Sequence, residues 1–525
     1  GGVVRVLMLG WEFPPHISGG LGTACYGLTQ GLAHHGVEVN FVIPRAVGDE
    51  DTEFVDLVGC NQVPVRMTTV GGGPMELPVA LPWMQRRAET VAADAGAGAA
   101  DGEQASAAAP GAAGGELRRA GFVDPVVVDS LLRPYLTEES YARAVDALGG
   151  HAGPAPGGLM ESLLGFLNGE RDLPSLRSVL GAAAPAEVPD GAEDHPAAAA
   201  PPAASPDQPG PPVYLHFTGQ YGSDLLEEVA RYALVVAEIA RHGGFDLIHA
   251  HDWMTNLAGA AAARVSGRPL VTHVHATEFD RSGENYNPRV KALEQLGLDH
   301  ADRVVCVSHY TAGVLRKRYR VDPAKLRVVH NAVTHEEQEH EFHWKKNIPE
   351  PIVLFLGRVT FQKGPDYFID AAARVIKLMP EVKFVMSGSG DMLPAMIERA
   401  ARQGIARSIH FTGFLRGKDV ERMYAMADLY VMPSVSEPFG ISPLEAMALD
   451  VPVIVSNQSG VSEILSNALK FDFWDVEDLA NKILALLKRR ALREQLIDEG
   501  RDEVRRMRWE ARAELVRAIY RELVA

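Results

Sequence analysis

Two glutamates with seven residues between them, Glu437 and Glu445, lie in the stretch ADLYVMPSVSEPFGISPLEAMALDVPVIVSNQSGVSEI, residues 427–464. Apolar runs at Leu429–Met432 and Val451–Val455 frame it as two buried parallel strands. Between them a loop enters a helix: Ser442 is a candidate N-cap, Pro443 suits the first turn, and Leu444, Ala446, Met447 and Ala448 favour a buried helix. A chain entering a helix at Phe439-Gly440-Ile441-Ser442 presents unpaired N–H groups at the positive end of the dipole, which suits a diphosphate. A carboxylate on each side can accept hydrogen bonds from sugar hydroxyls. Taken singly, each glutamate is equally well read as a dipole-complementing helix acid or an exposed loop acid.

Two cations extend the pattern. Arg358 and Lys363 follow an apolar strand, Ile352 to Gly357, and precede an amphipathic helix from Asp366 to Met379. The dipole at a helix start repels cations, so helix stability does not explain them, whereas an anionic ligand does. Arginine offers a planar fork for two phosphate oxygens and lysine a point charge. In the first half, FDLIHAHDW reads as a strand ending in His249, His251 and Asp252. An open α/β sheet places ligands at such strand ends. Histidines at i and i+2 share a face and suit a metal, but no third ligand of matching spacing follows, and no metal is expected. A strand from Pro269 to Val274 leads into HATEFDRSG, whose His275, Thr277, Glu278 and Arg281 read equally well as a satisfied polar loop or as groups turned to a cleft. Near the start, Gly19, Gly20 and Gly22 form a glycine-rich turn that either covers a phosphate or closes a tight turn.

The elements that must position these groups alternate strand and helix in both halves, and 525 residues exceed what one core serves. The division expected is residues 1–334 as a first domain, 335–351 as a charged linker, 352–508 as a second domain, and 509–525 as a terminal helix with Leu515, Val516, Ile519 and Leu523 on one face. An Ala/Pro/Gly-rich insert, residues 88–212, is expected to be largely disordered. Its central part, residues 122–180, is helix-like and reads as a solvated spacer in preference to a lid. A net charge of −17 argues against nucleic-acid and anionic-membrane partners. Cys25, Cys60 and Cys306 are far apart, without a CxxC pair, which points to no disulfide framework, no zinc site and a reducing cytoplasm. No apolar segment is long enough to span a bilayer. The triplet Asp49-Glu50-Asp51 lies in a charged loop and is given no metal role.

The 437–445 stretch resembles the EX7E signature of retaining GT-B glycosyltransferases, and its surroundings resemble family four, the glycogen- and starch-synthase-like branch included. Residues 357–364 match the family's GRxxxxKG pattern, and HAHDW and WEFPPHISGGLG are similar to its first-domain motifs. In glycogen synthases the glycine turn reads KxGGL; here Ile17 takes the lysine's place. The resemblance implies an α/β GT-B fold, two Rossmann-like doubly wound domains facing a cleft, with the terminal helix crossing back to the first. It implies a nucleotide-sugar donor held by Gly19, Gly20, Arg358, Lys363, Glu437, Phe439, Gly440, Ile441 and Glu445. Phe414-Leu415 falls where the family lines the base. A carbohydrate acceptor would meet His249, Asp252, His275 and Arg281, and the reacting centre would involve His251, Arg358, Lys363 and Glu437. Whether His249 or His251 faces that centre is open from sequence; the strand end favours His251. The implied reaction transfers a hexose, glucose by preference, with retention, no cofactor and no obligatory metal. An α-glucan product competes with a small glycoside or glycolipid, and a catalytically silent sugar-nucleotide binder stands as the alternative of another class. Oligomeric state is left open.

Overall fold

A computed structural model describes residues 3–16, 20–60, 64–65, 158–174, 213–214, 225–333, 346 and 348–524. The expected insert, apart from residues 158–174, and most of the linker lie outside these residues, as do Ile17 and Gly19.

The first lobe is a parallel sheet of β1 (Arg5–Leu9), β2 (Glu38–Ile43), β3 (Asp56–Gly59), β6 (Leu247–His251), β7 (Leu270–Val274), β8 (Arg303–Cys306) and β9 (Leu326–Val328) in the order β3-β2-β1-β6-β7-β8-β9. The pairs Pro64–Val65 (β4) and Val213–Tyr214 (β5) form a separate antiparallel ladder. The second lobe repeats the winding with β10 (Ile352–Leu356), β11 (Lys383–Ser387), β12 (Ile409–Gly413), β13 (Leu429–Met432), β14 (Val453–Ser456) and β15 (Leu469–Phe471), ordered β12-β11-β10-β13-β14-β15. Both sheets are nearly all apolar because helices cover both faces. The order reverses between β1 and β6 in one sheet and between β10 and β13 in the other, and at such a reversal the flanking loops part and leave a crevice at the strands' carboxyl ends.

In the first lobe, α1 (Gly20–His34) covers one face. The other is covered by α3 (Leu225–Arg241) and α4 (Trp253–Ser266), whose buried residues share a cluster with Ile248 and Ala250. Within the helix-like central part, residues 122–180, α2 (Leu159–Leu167) is docked on the first lobe and is not a solvated spacer, a correction: Leu163 and Leu167 enter the same cluster, and Arg264 Nη1 donates to the Leu167 carbonyl at 3.1 Å. The four-residue apolar repeat of Leu163 and Leu167 gives the segment the buried stripe by which it docks.

The first lobe continues with α5 (Glu278–Ser282), α6 (Pro288–His300) and α7 (His309–Arg318), and the second carries α8 (Pro365–Leu378), α9 (Ser442–Ala448) and α10 (Arg490–Arg505). The last helix, α11 (Trp509–Val524), packs on α1 in the first lobe. Its buried stripe is Trp509, Ala513, Val516, Ile519 and Tyr520, while Leu515 is exposed at 47%, a correction to the expected apolar face. The helices approach closely because α1 has glycine at the contact: a Cβ on Gly27 would meet the Trp509 indole at 2.1 Å.

Candidate active site

The second lobe's half of the site grows from two adjacent strand ends. After β10 the chain runs through Arg358 into a short 3-10 turn, Phe361–Lys363, and then α8. Gly364 links turn and helix with φ 62°, and a Cβ there would stand 2.1 Å from the Pro433 carbonyl. Only glycine tolerates both the left-handed backbone and that approach. Pro433 begins the loop after β13, so this contact lays the two loops side by side. The buried Gln362 binds them further: its carbonyl accepts from Val435 N at 2.9 Å, and its side-chain oxygen accepts from Arg358 Nη2 at 3.0 Å.

These loops bring Lys363 Nζ into an ion pair with Glu437 Oε2, with the lysine side chain 20% exposed and the carboxylate 8%. Ser434 Oγ donates to the same oxygen at 3.2 Å. Glu445 sits one turn into α9, where Tyr424 OH donates to it at 3.2 Å and burial raises its carboxyl pKa. Ser442 is the first helical residue and not a side-chain cap, because its hydroxyl accepts from Tyr430 OH at 2.8 Å. The structure thus pairs Lys363 with Glu437 and ties Arg358 through Gln362 to the same two loops, with Gly440 (φ 95°) and Ile441 leading to Glu445 beyond them. Phe439 departs from expectation: its ring is only 2% exposed and packs in the second lobe's core with Leu444 and Val461, so its side chain is structural. Ile441 touches the cores of both lobes. Gly20 opens α1 and is exposed. Phe414 is exposed, with the Arg416 guanidinium 5.2 Å from its ring centre.

The first lobe's half is a stack of imidazoles. His249 and His251 end β6, and register pairs His251 with His273 on β7. Ring centres lie 4.4 Å apart for His249 and His251, 5.1 Å for His251 and His273, and 4.3 Å for His273 and His275. His249 Nδ1 meets Tyr520 OH at 2.5 Å and its Nε2 meets His273 Nδ1 at 3.2 Å; His251 Nδ1 meets His275 Nε2 at 3.0 Å. Burial first, then the neighbouring imidazoles, hold the pKa of His249, His251 and His273 well below the ordinary histidine value, so the stack is neutral. His275 is lowered by burial and partly restored by Asp252, whose Oδ1 accepts from His275 N at 2.7 Å.

His273 was not singled out, although HVH at 273–275 repeats the His-x-His spacing of HAH at 249–251 and signals it. Arg281 does not face a cleft: its side chain is 6% exposed, and Nη1 donates to Glu294 Oε1 at 3.1 Å with Glu278 Oε2 at 3.6 Å. A buried guanidinium needs that pairing, which makes it a tie between α5 and α6.

First-lobe groups also grip the second lobe's loop. Ser436 Oγ donates to Asp280 Oδ1 at 2.6 Å and meets Tyr310 OH at 2.9 Å, while Ser308 Oγ donates to the Pro438 carbonyl at 2.5 Å. Glu463 accepts from the first N–H groups of α7, His309 N at 2.9 Å and Tyr310 N at 2.6 Å. No local pattern signals these pairs, which lie more than a hundred residues apart.

Comparison with known proteins fits this arrangement. The chain matches the models "Glycosyl transferases group 1" over residues 336–503, "Glycosyltransferase Family 4" over 193–337 and "Starch synthase catalytic domain" over 5–86. It is 30% identical over 320 residues to a D-inositol 3-phosphate glycosyltransferase of Salinispora arenicola, covering 55% of this chain and 71% of that one. To an uncharacterized glycosyltransferase of Methanocaldococcus jannaschii it is 34% identical over 236 residues, 42% of this chain and 60% of the relative's length. Its fold is similar to that of a sucrose-phosphate synthase from Thermosynechococcus elongatus, with a TM-score of 0.50, 24% identity, and coverage of 58% of this chain and 81% of that one. The fold and site define a GT-B protein of two Rossmann-like lobes. The chain belongs to the group 1 glycosyltransferases.

Proposed function

We propose that the protein transfers a hexose, glucose by preference, from a nucleoside-diphosphate sugar to a carbohydrate acceptor with retention of configuration. The observation that carries this is the meeting of Arg358, Lys363 and Glu437 at the reversal point of the second sheet, beside the start of α9. As the glycosidic bond breaks, charge grows on the leaving diphosphate, and fixed cations stabilise it without reorganising. Lys363 serves in this role once the donor separates it from Glu437, leaving that carboxylate to accept from the sugar hydroxyls. Glu445 and Tyr424 then stand at the other end of the nucleotide-sugar. Gly19 and Gly20 complete the donor side.

On the acceptor side, His251, with His249 and His275, supplies a neutral, hydrogen-bonding wall, and Asp252 holds it by accepting from His275 N. A neutral imidazole adds no charge that would oppose an oxocarbenium-like centre. Glu437 is paired with a lysine, so the two-carboxylate double displacement of glycosidases is not invoked. The leaving phosphate itself takes the acceptor proton on the same face. The reading needs no cofactor and no metal for catalysis, and it suits a cytoplasmic setting.

For the acceptor, the starch synthase match over residues 5–86 favours an α-glucan, while the inositol-phosphate relative favours a small polyol. The deciding experiment measures nucleoside diphosphate release from ADP-, UDP- and GDP-sugars with the full chain, with and without glucan or inositol phosphate. Release stimulated by one acceptor identifies it; no turnover of any donor returns the protein to a silent sugar-nucleotide binder.

A further inference from the structure

Sequence spacing offers no third metal ligand beside His249 and His251, but folding supplies one from another element. Cys25 of α1, His251 at the end of β6 and His275 just past β7 each bring one ligand-type atom to within 4.8 Å of the others. Cys25 and His251 are 1% and 0% exposed, and His251 Nε2 is buried with no hydrogen-bond partner. His251 Nδ1 and His275 Nε2 face each other at 3.0 Å. Two nitrogens sharing a tetrahedral zinc at about 2.0–2.1 Å lie roughly 3.3 Å apart, and a thiolate at about 2.3 Å lies roughly 3.6 Å from each. The imidazole pair is therefore already near the required separation, and Cys25 must approach by about 1 Å or less.

Other trios fit less well. His249, His251 and His273 also lie within 4.8 Å, but His249 is stacked on its neighbours at interplanar angles of 16° and 18°. Imidazole lone pairs lie in the ring plane, so stacked rings cannot aim them at one point. Both His249 nitrogens are moreover engaged. In the group His309, His330 and Glu463, the carboxylate already serves the start of α7.

We propose that Cys25, His251 and His275 form a site for one thiophilic divalent cation of the zinc class, with water or a substrate hydroxyl as fourth ligand. Binding exchanges the Cys25 Sγ proton for the metal and releases it to solvent, with no change of oxidation state. The bound ion immobilises His251 and slows transfer; that consequence rests on the acceptor-side role proposed for His251, whereas the binding does not.

The test titrates the metal-free full chain with Zn²⁺ against a chromophoric chelator, and with Cd²⁺ while following the ultraviolet thiolate-to-metal band. One equivalent should bind with that band. Cys25→Ser should remove the band and weaken binding at least tenfold, His275→Ala should weaken it at least tenfold, and His330→Ala should leave it unchanged. Absence of saturable binding to the native chain overturns the site whatever the variants do. So does a band that survives Cys25→Ser, or binding lost with His330→Ala. One-equivalent binding with the Cys25-dependent band upholds the site, and if transfer then stays at full rate it is the role of His251, not the metal site, that fails.

Discussion

The two lobes share one winding and present opposite chemistry at the same topological place. At the reversal of the first sheet stands a buried stack of neutral imidazoles; at the reversal of the second stand a lysine and a glutamate joined as an ion pair, with an arginine held on the same loops through Gln362. The difference follows from what holds each set. His249, His251 and His273 project from strands, whose alternation and register put them in one buried ladder that the half-buried His275 extends just past β7. Arg358, Lys363 and Glu437 project from loops beyond the strands, where the two cations stay partly exposed and the buried carboxylate is paired with one of them. Parallel sheets offer two kinds of position at one strand end, and each lobe uses a different one.

The sharpest break in this contrast is to neutralise the second lobe. Lys363→Ala and Glu437→Ala should each lower kcat by about 10²–10³-fold or more while circular dichroism and melting stay close to the native chain. Near-normal diphosphate release in both would remove the site assignment. The matching change in the first lobe, His251→Gln, should lower kcat about 10²-fold and leave the donor's Kd nearly unchanged by calorimetry. A large loss of donor affinity instead would place His251 with the second lobe's function.

Acid should expose the imidazole stack selectively. In the folded chain His249, His251 and His273 are held well below their ordinary 6.5, so the unfolded chain binds more protons between the two values. Their contribution is complete above about pH 6.5 and is lost as pH falls toward the folded-state values. Glu294, pushed up to about 7 by burial, has the opposite sign: its contribution is present below its ordinary 4.5 and lost as pH rises through about 7. Comparing Tm against pH for the native chain and His273→Gln isolates the histidines; the variant should show the flatter fall below pH 6.5, and identical slopes would contradict a neutral stack.

Smaller effects test the supports. Gly364→Ala forces a Cβ toward the Pro433 carbonyl in a left-handed backbone and should cost about 1–3 kcal/mol, with donor binding weakened as Lys363 shifts. Tyr520→Phe removes a hydroxyl bonded to buried His249 and should cost about 1 kcal/mol, read by chemical denaturation, with transfer within about threefold of native. A Tyr520→Phe chain as inactive as Lys363→Ala would mean the terminal helix acts on the reaction itself.

Much of this was legible beforehand. Glu437, Arg358 and Lys363 were recognisable because each follows an apolar run of strand length and precedes a helix, and in a doubly wound sheet that position alone predicts proximity to the crevice. The last helix was placed by its period, though Leu515 was misjudged because a helix packing through glycines in α1 buries a narrower stripe than hydropathy suggests. Phe439 and Arg281 were misread for a related reason: an aromatic ring or a guanidinium beside a motif looks the same in sequence whether it turns to the ligand or to the core.

What the sequence by itself determined is the alternation of strands and helices, the doubly wound class, and the loops in which chemistry would sit, since periodicity and turn residues act over a few positions. Tertiary structure alone decided which groups meet across long separations. The Lys363–Glu437 pair, the bridge from Asp280 through Ser436 to Tyr310, and the convergence of Cys25 with His251 and His275 depend on strand order and helix docking. Those are settled by burial of whole faces, a property no local window of residues contains.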